Sequence, residues 1–484
     1  MTMFILMAIV FILGYIAIAL EHPLKIDKSA SALMLSVVIW VIYMIGVQDI
    51  LSLNFSDSWK SFSESTEMSD LISKHPDYSL VERMRIFIVD NQIISHLGEI
   101  SEILFFLLGA MTIVETIDQH QGFKIITDKI TTNNKVKLLW IISILTFFMS
   151  SLLDNLTSTI VMVALLRKLI DDKQTRWFFA SMIVIAANAG GAWTPIGDVT
   201  TIMLWIGKQI TAGNIIMMVF IPSVFNLIVP IIIVSFMMKG EVKRPATIKS
   251  EEHSNVPLRE SKLMLIMGVG TLLFVPIFKT ITHLPPYMGM LFGLAVIWIT
   301  TEIIHKRKDD KIKGNLKIHS ILKRVDIPTV FFFLGILTAV AALQSAGQLG
   351  LLAKYLDTNL HNIYAINIII GILSSIVDNV PLVAGTMGMY PIYTHSMIAA
   401  MADPSAQAYA THFMEDGAFW ELLAYAAGTG GSILIIGSAA GVAAMGLEKI
   451  DFIWYMKKVS WLALLGYFAG IGAYWLQEII IFHK

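Results

Sequence analysis

Ser150-Ser151-Leu152-Leu153-Asp154-Asn155, in the first half of this 484-residue chain, is matched in the second half by Ser374-Ser375-Ile376-Val377-Asp378-Asn379. Two further pairs of segments match in the same order along the chain. They are 105–109 with 332–335, and 186–191 with 426–431. Three matches at similar separations indicate that the sequence contains two copies of one structural unit.

The composition is that of a membrane protein. Hydrophobic residues make up 56% of the chain and charged residues only 15%, whereas a soluble domain has about 25% charged residues. The apolar runs approach the length of about 20 residues at which a helix crosses a bilayer, and they lack the alternation of barrel strands. We therefore predict an all-α membrane protein in a lipid bilayer, with about 10 full crossings plus two hairpins.

The positions of the basic residues predict the topology. Lys and Arg cluster in six segments, which we place in the cytoplasm. These segments are 21–28, 118–137, 167–176, 239–262, 304–326 and 447–458. The segments 47–97 and 401–418 are poor in Lys and Arg and should lie outside. Residues 138–166 lie between two cytoplasmic segments, so we expect them to enter the membrane and turn back. Residues 363–400 lie between outside segments and should enter from the opposite face.

These assignments make the two copies inverted repeats, each with a re-entrant helical hairpin and a discontinuous transmembrane helix. The first repeat is 1–238, with its hairpin at about 138–171 and its broken helix at about 177–207. A cytoplasmic linker follows at 239–262. The second repeat is 263–484, with its hairpin at about 363–400 and its broken helix at about 419–446.

Each hairpin tip has an acid, Asp154 or Asp378. A charged side chain in the middle of a bilayer costs on the order of 2.5–3.5 kcal/mol, so an acid there is a functional candidate by default. The alternative interpretation is that each acid only caps the second arm of its hairpin. Neighbouring polar residues extend the candidate site at both tips. They are Ser150, Asn155, Ser374 and Asn379.

The first broken helix contains a second group of oxygen donors. Glycines and Pro195 interrupt the helix between positions 190 and 197, and the freed backbone must face protein, water or an ion. The donors suit a small hard cation, and they are Asn188, Thr194, Asp198, Thr200 and Thr201. The second broken helix offers the hydroxyls of Thr429 and Ser432 and no acid. The alternative is that the break only permits close helix packing, with Asp198 as a helix cap.

With these motifs, the chain resembles the NhaD-type sodium/proton antiporters of the ion transporter superfamily over nearly its whole length. The resemblance implies a homodimer with a scaffold part and a mobile transport part that moves in an elevator-like way, in a bacterial inner membrane. It also implies that ten positions are important for exchange. They are Ser150, Asp154, Asn155, Asn188, Asp198, Thr200, Thr201, Ser374, Asp378 and Asn379.

The predicted function is exchange of cytoplasmic Na⁺, and also Li⁺, for external H⁺ by competition for the carboxylates in the middle of the membrane. The alternative is a Na⁺-coupled symporter of a small organic anion such as a dicarboxylate. An intramembrane hydrolase is disfavoured, because no Ser/His or metal-ligand grouping recurs at membrane depth. The histidines show no spacing typical of a metal pair. We expect no enzyme activity, no cofactor and no nucleic-acid partner.

Overall fold

The computed structural model describes residues 1–19, 21–127, 129–244, 256–306, 316–376 and 378–480. Within these ranges the chain is helical, and β pairing is limited to two isolated bridges. In the described part of the chain, seven helices are long and apolar enough to cross a membrane, and a bent pair at Phe452–Lys458 and Ser460–Ile480 allows an eighth. The protein is therefore an all-α, multi-pass membrane protein, as predicted. The count of about ten crossings stays a prediction.

One of two compact units consists of residues 1–104, 326–362 and 380–392. Its helices are α1 (Thr2–Ala19), α2 (Glu21–Leu24), α3 (Lys28–Ile45), α4 (Val47–Leu51), α5 (Asp57–Ser63), α6 (Thr66–Lys74), α7 (Leu80–Ile86), a π-helix (Phe87–Ile93), the start of α8 (Ile94–Gln119), α18 (Ile327–Ser345), α19 (Gln348–Asn359) and most of α21 (Asn379–Met389). The helices α3 and α18 pack closely, because a Cβ atom on Gly335 would lie 2.6 Å from the carbonyl carbon of Ala32. The Trp40 indole also donates to the Thr338 carbonyl at 2.9 Å.

The second unit consists of residues 105–325, 363–379 and 393–484 and holds the candidate site. It contains the rest of α8, α9 (Lys124–Thr127), α10 (Lys135–Leu153), α11 (Asn155–Leu169), α12 (Lys173–Ala192), α13 (Val199–Ile206), α14 (Ala212–Met237), α15 (Leu258–Thr282), α16 (Pro286–His305), α17 (Ile318–Leu322), α20 (Ile363–Leu373), α22 (His395–Ala399), α23 (Pro404–Thr411), α24 (Ala418–Gly430), α25 (Ala439–Glu448), α26 (Phe452–Lys458) and α27 (Ser460–Ile480). Of the predicted linker 239–262, residues 245–255 lie outside the described residues.

The pair α10 and α11 starts and ends at the same short stretch of chain, 240–243. At the start of α10, Lys135 N–H donates to the Gly240 carbonyl at 3.1 Å, and just before it Val242 N–H donates to the Asn133 carbonyl at 2.8 Å. After α11, Asp171 N–H donates to the Lys243 carbonyl at 2.9 Å. The path from 133 to 171 therefore leaves this stretch and returns to it.

One arm of the first hairpin is longer than predicted. The predicted bounds, about 138–171, give arms of roughly 15 residues. The helix α11 has 15 residues, but α10 has 19 and is long enough to cross a membrane. Its extra length lies at its start, where Asn134 caps the helix by accepting from Lys137 N–H at 2.9 Å. In the second half, α20 and α21 have 11 residues each. The helix α21 ends at Met389, and the limit of the second hairpin near 400 stays a prediction.

Candidate functional site

The first tip is a single residue, Asp154, between α10 and α11. Its backbone lies at φ 82° and ψ 161°, a region that non-glycine residues rarely adopt and that costs on the order of 1–3 kcal/mol. The half-buried carboxylate caps α11, because it accepts from Thr157 N–H at 2.7 Å and from Thr157 Oγ1 at 2.9 Å. Asp154 therefore caps α11, as the alternative interpretation of the sequence predicted. Its backbone is also strained, and strained residues of this kind cluster at functional sites.

The second tip is longer, since α20 ends at Leu373 and α21 begins at Asn379. Ser374 and Ser375 follow α20 in turns, and both side chains are buried. Asp378 is half-buried, while the adjacent Asn379 is only 4% exposed. The two tips therefore place an acid and an amide side by side, as their shared Asp-Asn sequence predicts.

The first broken helix holds Asp198 at the start of α13. The Asp198 carboxylate caps α13 through Thr200, whose N–H donates at 2.9 Å and whose Oγ1 donates at 2.8 Å. Glycines let the chain fold back tightly here, because a Cβ atom on Gly191 would lie 2.4 Å from the Gly197 carbonyl oxygen. Asp198 is only 1% exposed. The interpretation of Asp198 as a helix cap is correct in geometry.

Asp198 is also the point where both halves of the chain meet. The Asn155 amide, next to the first tip, donates to Asp198 Oδ2 at 2.5 Å. The Asn379 amide, next to the second tip, donates to Oδ1 at 3.3 Å and to Oδ2 at 3.4 Å. Two residues at equivalent repeat positions thus bind one buried carboxylate. Its side-chain and backbone partners all donate hydrogen bonds, as an ionised carboxylate requires.

Asn188 connects this carboxylate to the second broken helix. Its Oδ1 accepts from the Asn155 amide at 3.0 Å. Its Nδ2 donates to Ser432 Oγ at 2.8 Å and to Ser438 Oγ at 2.9 Å. Asn188 itself is fully buried. The two tips and the two broken helices are therefore linked by one network of side-chain hydrogen bonds around Asp198.

Negative charges lie close together at the site. Asp154 repels Asp198, and Asp198 repels Asp378. Among the described residues, neither Asp154 nor Asp198 forms an ion pair with a Lys, Arg or His. Several carboxylates held close together in a buried place favour the entry of a cation or of protons.

Several predicted site residues donate hydrogen bonds from their hydroxyls to backbone carbonyls. Ser150 Oγ donates to the Ala187 carbonyl at 2.6 Å, and Ser374 Oγ donates to the Ala427 carbonyl at 2.7 Å. Thr194 donates to the Ser151 carbonyl at 2.7 Å, and Thr201 donates to the Asp198 carbonyl at 2.8 Å. Thr429 donates to the Tyr425 carbonyl at 2.6 Å. These five hydroxyls hold the breaks in place, and a role in ion binding stays a prediction for them.

The matched sequence segments of the two halves make the same local contacts. Ser150 and Ala187 occupy the repeat positions of Ser374 and Ala427, and the same hydrogen bond joins each pair. A Cβ atom on Gly190 would lie 2.2 Å from the Phe147 carbonyl oxygen, and one on Gly430 would lie 2.0 Å from the Gly371 carbonyl oxygen. These are also equivalent positions. The sequence match thus corresponds to a repeated local packing.

Ser438 is a member of the network that the sequence prediction did not include. It is 1% exposed and caps α25, accepting from Gly441 N–H at 3.2 Å. It stands at the repeat position of Asp198, which also caps the second part of a broken helix. The alignment of 197–198 with 437–438 was the available signal, but a serine lacks the charge by which acids were selected.

Comparison with known proteins assigns the family. The model of the citrate transporter family, CitMHS, matches residues 1–412. Sodium/proton antiporter 1 of Arabidopsis thaliana is 45% identical over 470 residues, which cover 97% of this chain and 71% of that protein. Sodium/proton antiporter 2 of the same plant is 44% identical over 471 residues, covering 97% and 98%.

The similarity extends to bacterial proteins. The Na⁺/H⁺ antiporter NhaD of Alkalimonas amylolytica is 27% identical over 502 residues, which cover 98% of this chain and 90% of that protein. The family and these relatives are transporters and not enzymes. The chain therefore belongs to the citrate transporter family and, within the ion transporter superfamily, to the NhaD-type sodium/proton antiporters.

Proposed function

We propose that this protein exchanges cytoplasmic Na⁺ or Li⁺ for external H⁺ at the Asp198 carboxylate. The observation that carries the proposal is the placement of Asp198, buried and bound by the amides of Asn155 and Asn379 from the two halves of the chain. The relatives named as sodium/proton antiporters support the same ions. Carboxylate, amide and hydroxyl oxygens are hard ligands suited to an alkali cation.

Competition follows from the charges and from the hydrogen-bond partners. A Na⁺ ion would bind the carboxylate oxygens of Asp198 and relieve its repulsion with Asp154 and Asp378. A proton on Asp198 would relieve the same repulsion, but it needs an acceptor where an amide now donates. Rotation of the Asn155 or Asn379 amide by 180° would supply an oxygen there. The two occupants thus require different arrangements of the same side chains, so one must leave before the other binds.

Inverted repeats with two re-entrant hairpins are the architecture that we propose around this site. The return of 133–171 to the stretch 240–243 supports a first hairpin that enters and leaves on one side. Contacts between segments assigned to the cytoplasm support that sidedness. Arg167 and Arg176 bind Glu448 at 2.8 and 2.9 Å, which joins segment 167–176 to segment 447–458. The paired contacts of the breaks support the repeat.

The transport cycle is proposed from the charge balance of the site. The loaded site crosses the membrane barrier, while the empty site, in which neither Na⁺ nor a proton offsets the charge of Asp198, crosses poorly because buried negative charge is costly. Exchange is then obligatory, and inward proton flow drives Na⁺ out. We propose an elevator-like movement in a homodimer in the bacterial inner membrane, which is what the resemblance to the NhaD-type antiporters implies.

The competing function is transport of an organic anion, which the family description as citrate transporters brings forward. Three neighbouring acids would repel a carboxylate substrate, which favours cation exchange. Proteoliposomes with an imposed pH gradient and a pH-sensitive dye separate the two functions. We expect dissipation of the gradient on adding Na⁺ or Li⁺, without uptake of labelled citrate or dicarboxylate. Uptake of the labelled anion driven by Na⁺, with no proton movement, would overturn the proposal.

A further inference from the structure

A second cluster of ligand-type side chains lies at the ends of three other helices. His120 follows the end of α8, Glu260 stands in the first turn of α15, and His305 is the last residue of α16. The Nε2 atom of His305 lies 2.6 Å from Glu260 Oε1, and the Nε2 atom of His120 lies 3.7 Å from the same oxygen. Both histidines are 0% exposed and Glu260 is 7% exposed. These side chains are therefore withdrawn from water and aimed at one point.

The orientation of His120 is fixed by its other ring nitrogen. Nδ1 lies 2.7 Å from the Thr116 carbonyl oxygen. A carbonyl only accepts hydrogen bonds, so Nδ1 carries a proton, and in the neutral imidazole Nε2 presents its lone pair toward the Glu260 carboxylate. Two electron-rich atoms then face each other. Metal-binding histidines commonly have this arrangement, in which the second nitrogen donates to a backbone carbonyl and orients the ring.

The spacing of the ligand atoms suits a tetrahedral ion. Two ligands of one Zn²⁺ ion, each about 2.0–2.2 Å from the metal, lie about 3.3 Å apart. The two nitrogen-to-oxygen distances in the cluster, 2.6 and 3.7 Å, lie on either side of that value. The three ligand atoms are within 4.8 Å of one another, and the rings of His120 and His305 are stacked with centroids 5.2 Å apart. Side-chain shifts of less than 1 Å in these contacts would complete the geometry.

His305 can act as a ligand through the nitrogen that faces Glu260. Its Nδ1 atom is buried and has no hydrogen-bond partner among the described residues. If a metal binds at Nε2, the proton of this imidazole resides on Nδ1, and Nε2 is released from its contact with Glu260 to act as a ligand. One imidazole can thus serve both the metal-free and the metal-bound state.

From these observations we propose that His120, Glu260 and His305 bind a divalent transition-metal ion of the Zn²⁺ type, with one coordination position left for water. Imidazole and carboxylate are ligands that such ions accept, and two histidines with one glutamate form an established ligand set for zinc. The site is separate from the carboxylates around Asp198. It connects the ends of α8, α15 and α16, in or beside segments whose basic residues predict the cytoplasm.

Cobalt absorption of the purified full-length protein tests this site without measuring transport. Tetrahedral Co²⁺ has visible absorption bands, so titration of the wild type should show one bound ion. His120→Gln should weaken binding by about 100-fold or more, because loss of an outer-shell partner alone costs about 10–100-fold. His319→Gln is the matched control, since His319 is an exposed histidine on α17, the helix that follows α16 in the sequence. It should bind as the wild type does.

A cysteine variant locates the ion directly. The chain contains no cysteine, so a sulfur-to-cobalt charge-transfer band in His305→Cys can arise only from the introduced thiolate. We expect this band together with retained binding of one ion. The proposal is overturned if the wild type binds no Co²⁺ with tetrahedral absorption, or if His120→Gln binds as tightly as the wild type. The absence of the thiolate band in a folded, monodisperse His305→Cys protein would also overturn it.

Discussion

Replacing the two amides at Asp198 one at a time should destabilise the protein unequally. Asn155 and Asn379 stand at equivalent positions in the two repeats, but their hydrogen bonds differ. The Asn155 amide donates to one carboxylate oxygen of Asp198 and also to Asn188 at 3.0 Å. Asn379 divides one amide group between two longer bonds of 3.3 and 3.4 Å to the same carboxylate.

The magnitudes follow from these contacts. A hydrogen bond to a charged group contributes about 1.5–3 kcal/mol and one between neutral groups about 0.5–1.5 kcal/mol. Asn155→Ala loses one of each kind, so the free energy of unfolding should fall by about 2–4 kcal/mol. Asn379→Ala loses a single, poorly placed donor, for which we expect about 1 kcal/mol.

Thermal denaturation of the purified protein in detergent, followed by tryptophan fluorescence, shows which of the two substitutions destabilises the protein more. Asn155→Ala should unfold at a clearly lower temperature than Asn379→Ala. Asn359→Ala is the control, because Asn359 is exposed near the end of α19 and only binds a carbonyl of its own helix. An Asn379→Ala protein that is as unstable as Asn155→Ala, or less stable, would refute the hydrogen-bond arrangement described at Asp198.

Three further substitutions test the packing, the charges and the tips. Gly430→Ala should lower stability by about 1–3 kcal/mol in thermal denaturation, because the new Cβ would lie 2.0 Å from a backbone oxygen. Gly213→Ala is the control and should not lower stability, because a Cβ at that position would meet open space. Glu448→Gln should cost about 1–3 kcal/mol in the same assay, since two arginines lose a buried partner; stability equal to the wild type would contradict this. Asp154→Asn and Asp378→Asn should each abolish Na⁺-dependent proton movement in proteoliposomes while expression persists, and ordinary exchange in both would contradict competition.

The fold class was readable from the sequence because lipid imposes simple constraints. Long apolar runs with few charges predict membrane helices, and α14 and α15 appear where such runs occur. The positions of the breaks were also predictable, since Gly, Pro and acids interrupt those runs at 154 and between 190 and 198. The length of α10 was not, because a polar cap at Asn134 extends this helix beyond its apolar part.

The candidate site was partly predictable. The repeat placed Asn155 and Asn379 at matching tips, and the structure brings both to one acid. The ranking of the acids differed, since the sequence emphasised the repeated pair Asp154 and Asp378, whereas Asp198 lies at the centre of the hydrogen-bond network. Asp198 has no acidic counterpart in the second half, so repetition could not identify it.

The histidine cluster lay beyond what the sequence alone could indicate. His120, Glu260 and His305 are distant in sequence, so no local spacing marks them as ligands. They meet only because α15 and α16 pack against each other and the end of α8 reaches the same place. The spacing of the histidines in the sequence predicts no metal pair. In the structure, however, two histidines and one glutamate lie close enough together to hold an ion.

The central claim is that Na⁺ and protons compete for the Asp198 carboxylate. The most direct test is the release of protons when Na⁺ is added to the purified protein in weakly buffered detergent solution. We predict proton release in the wild type and in Asp403→Asn, an exposed acid that caps α23, and a strongly reduced release in Asp198→Asn. Na⁺ binding without proton release, or release that is unchanged in Asp198→Asn, would contradict the account.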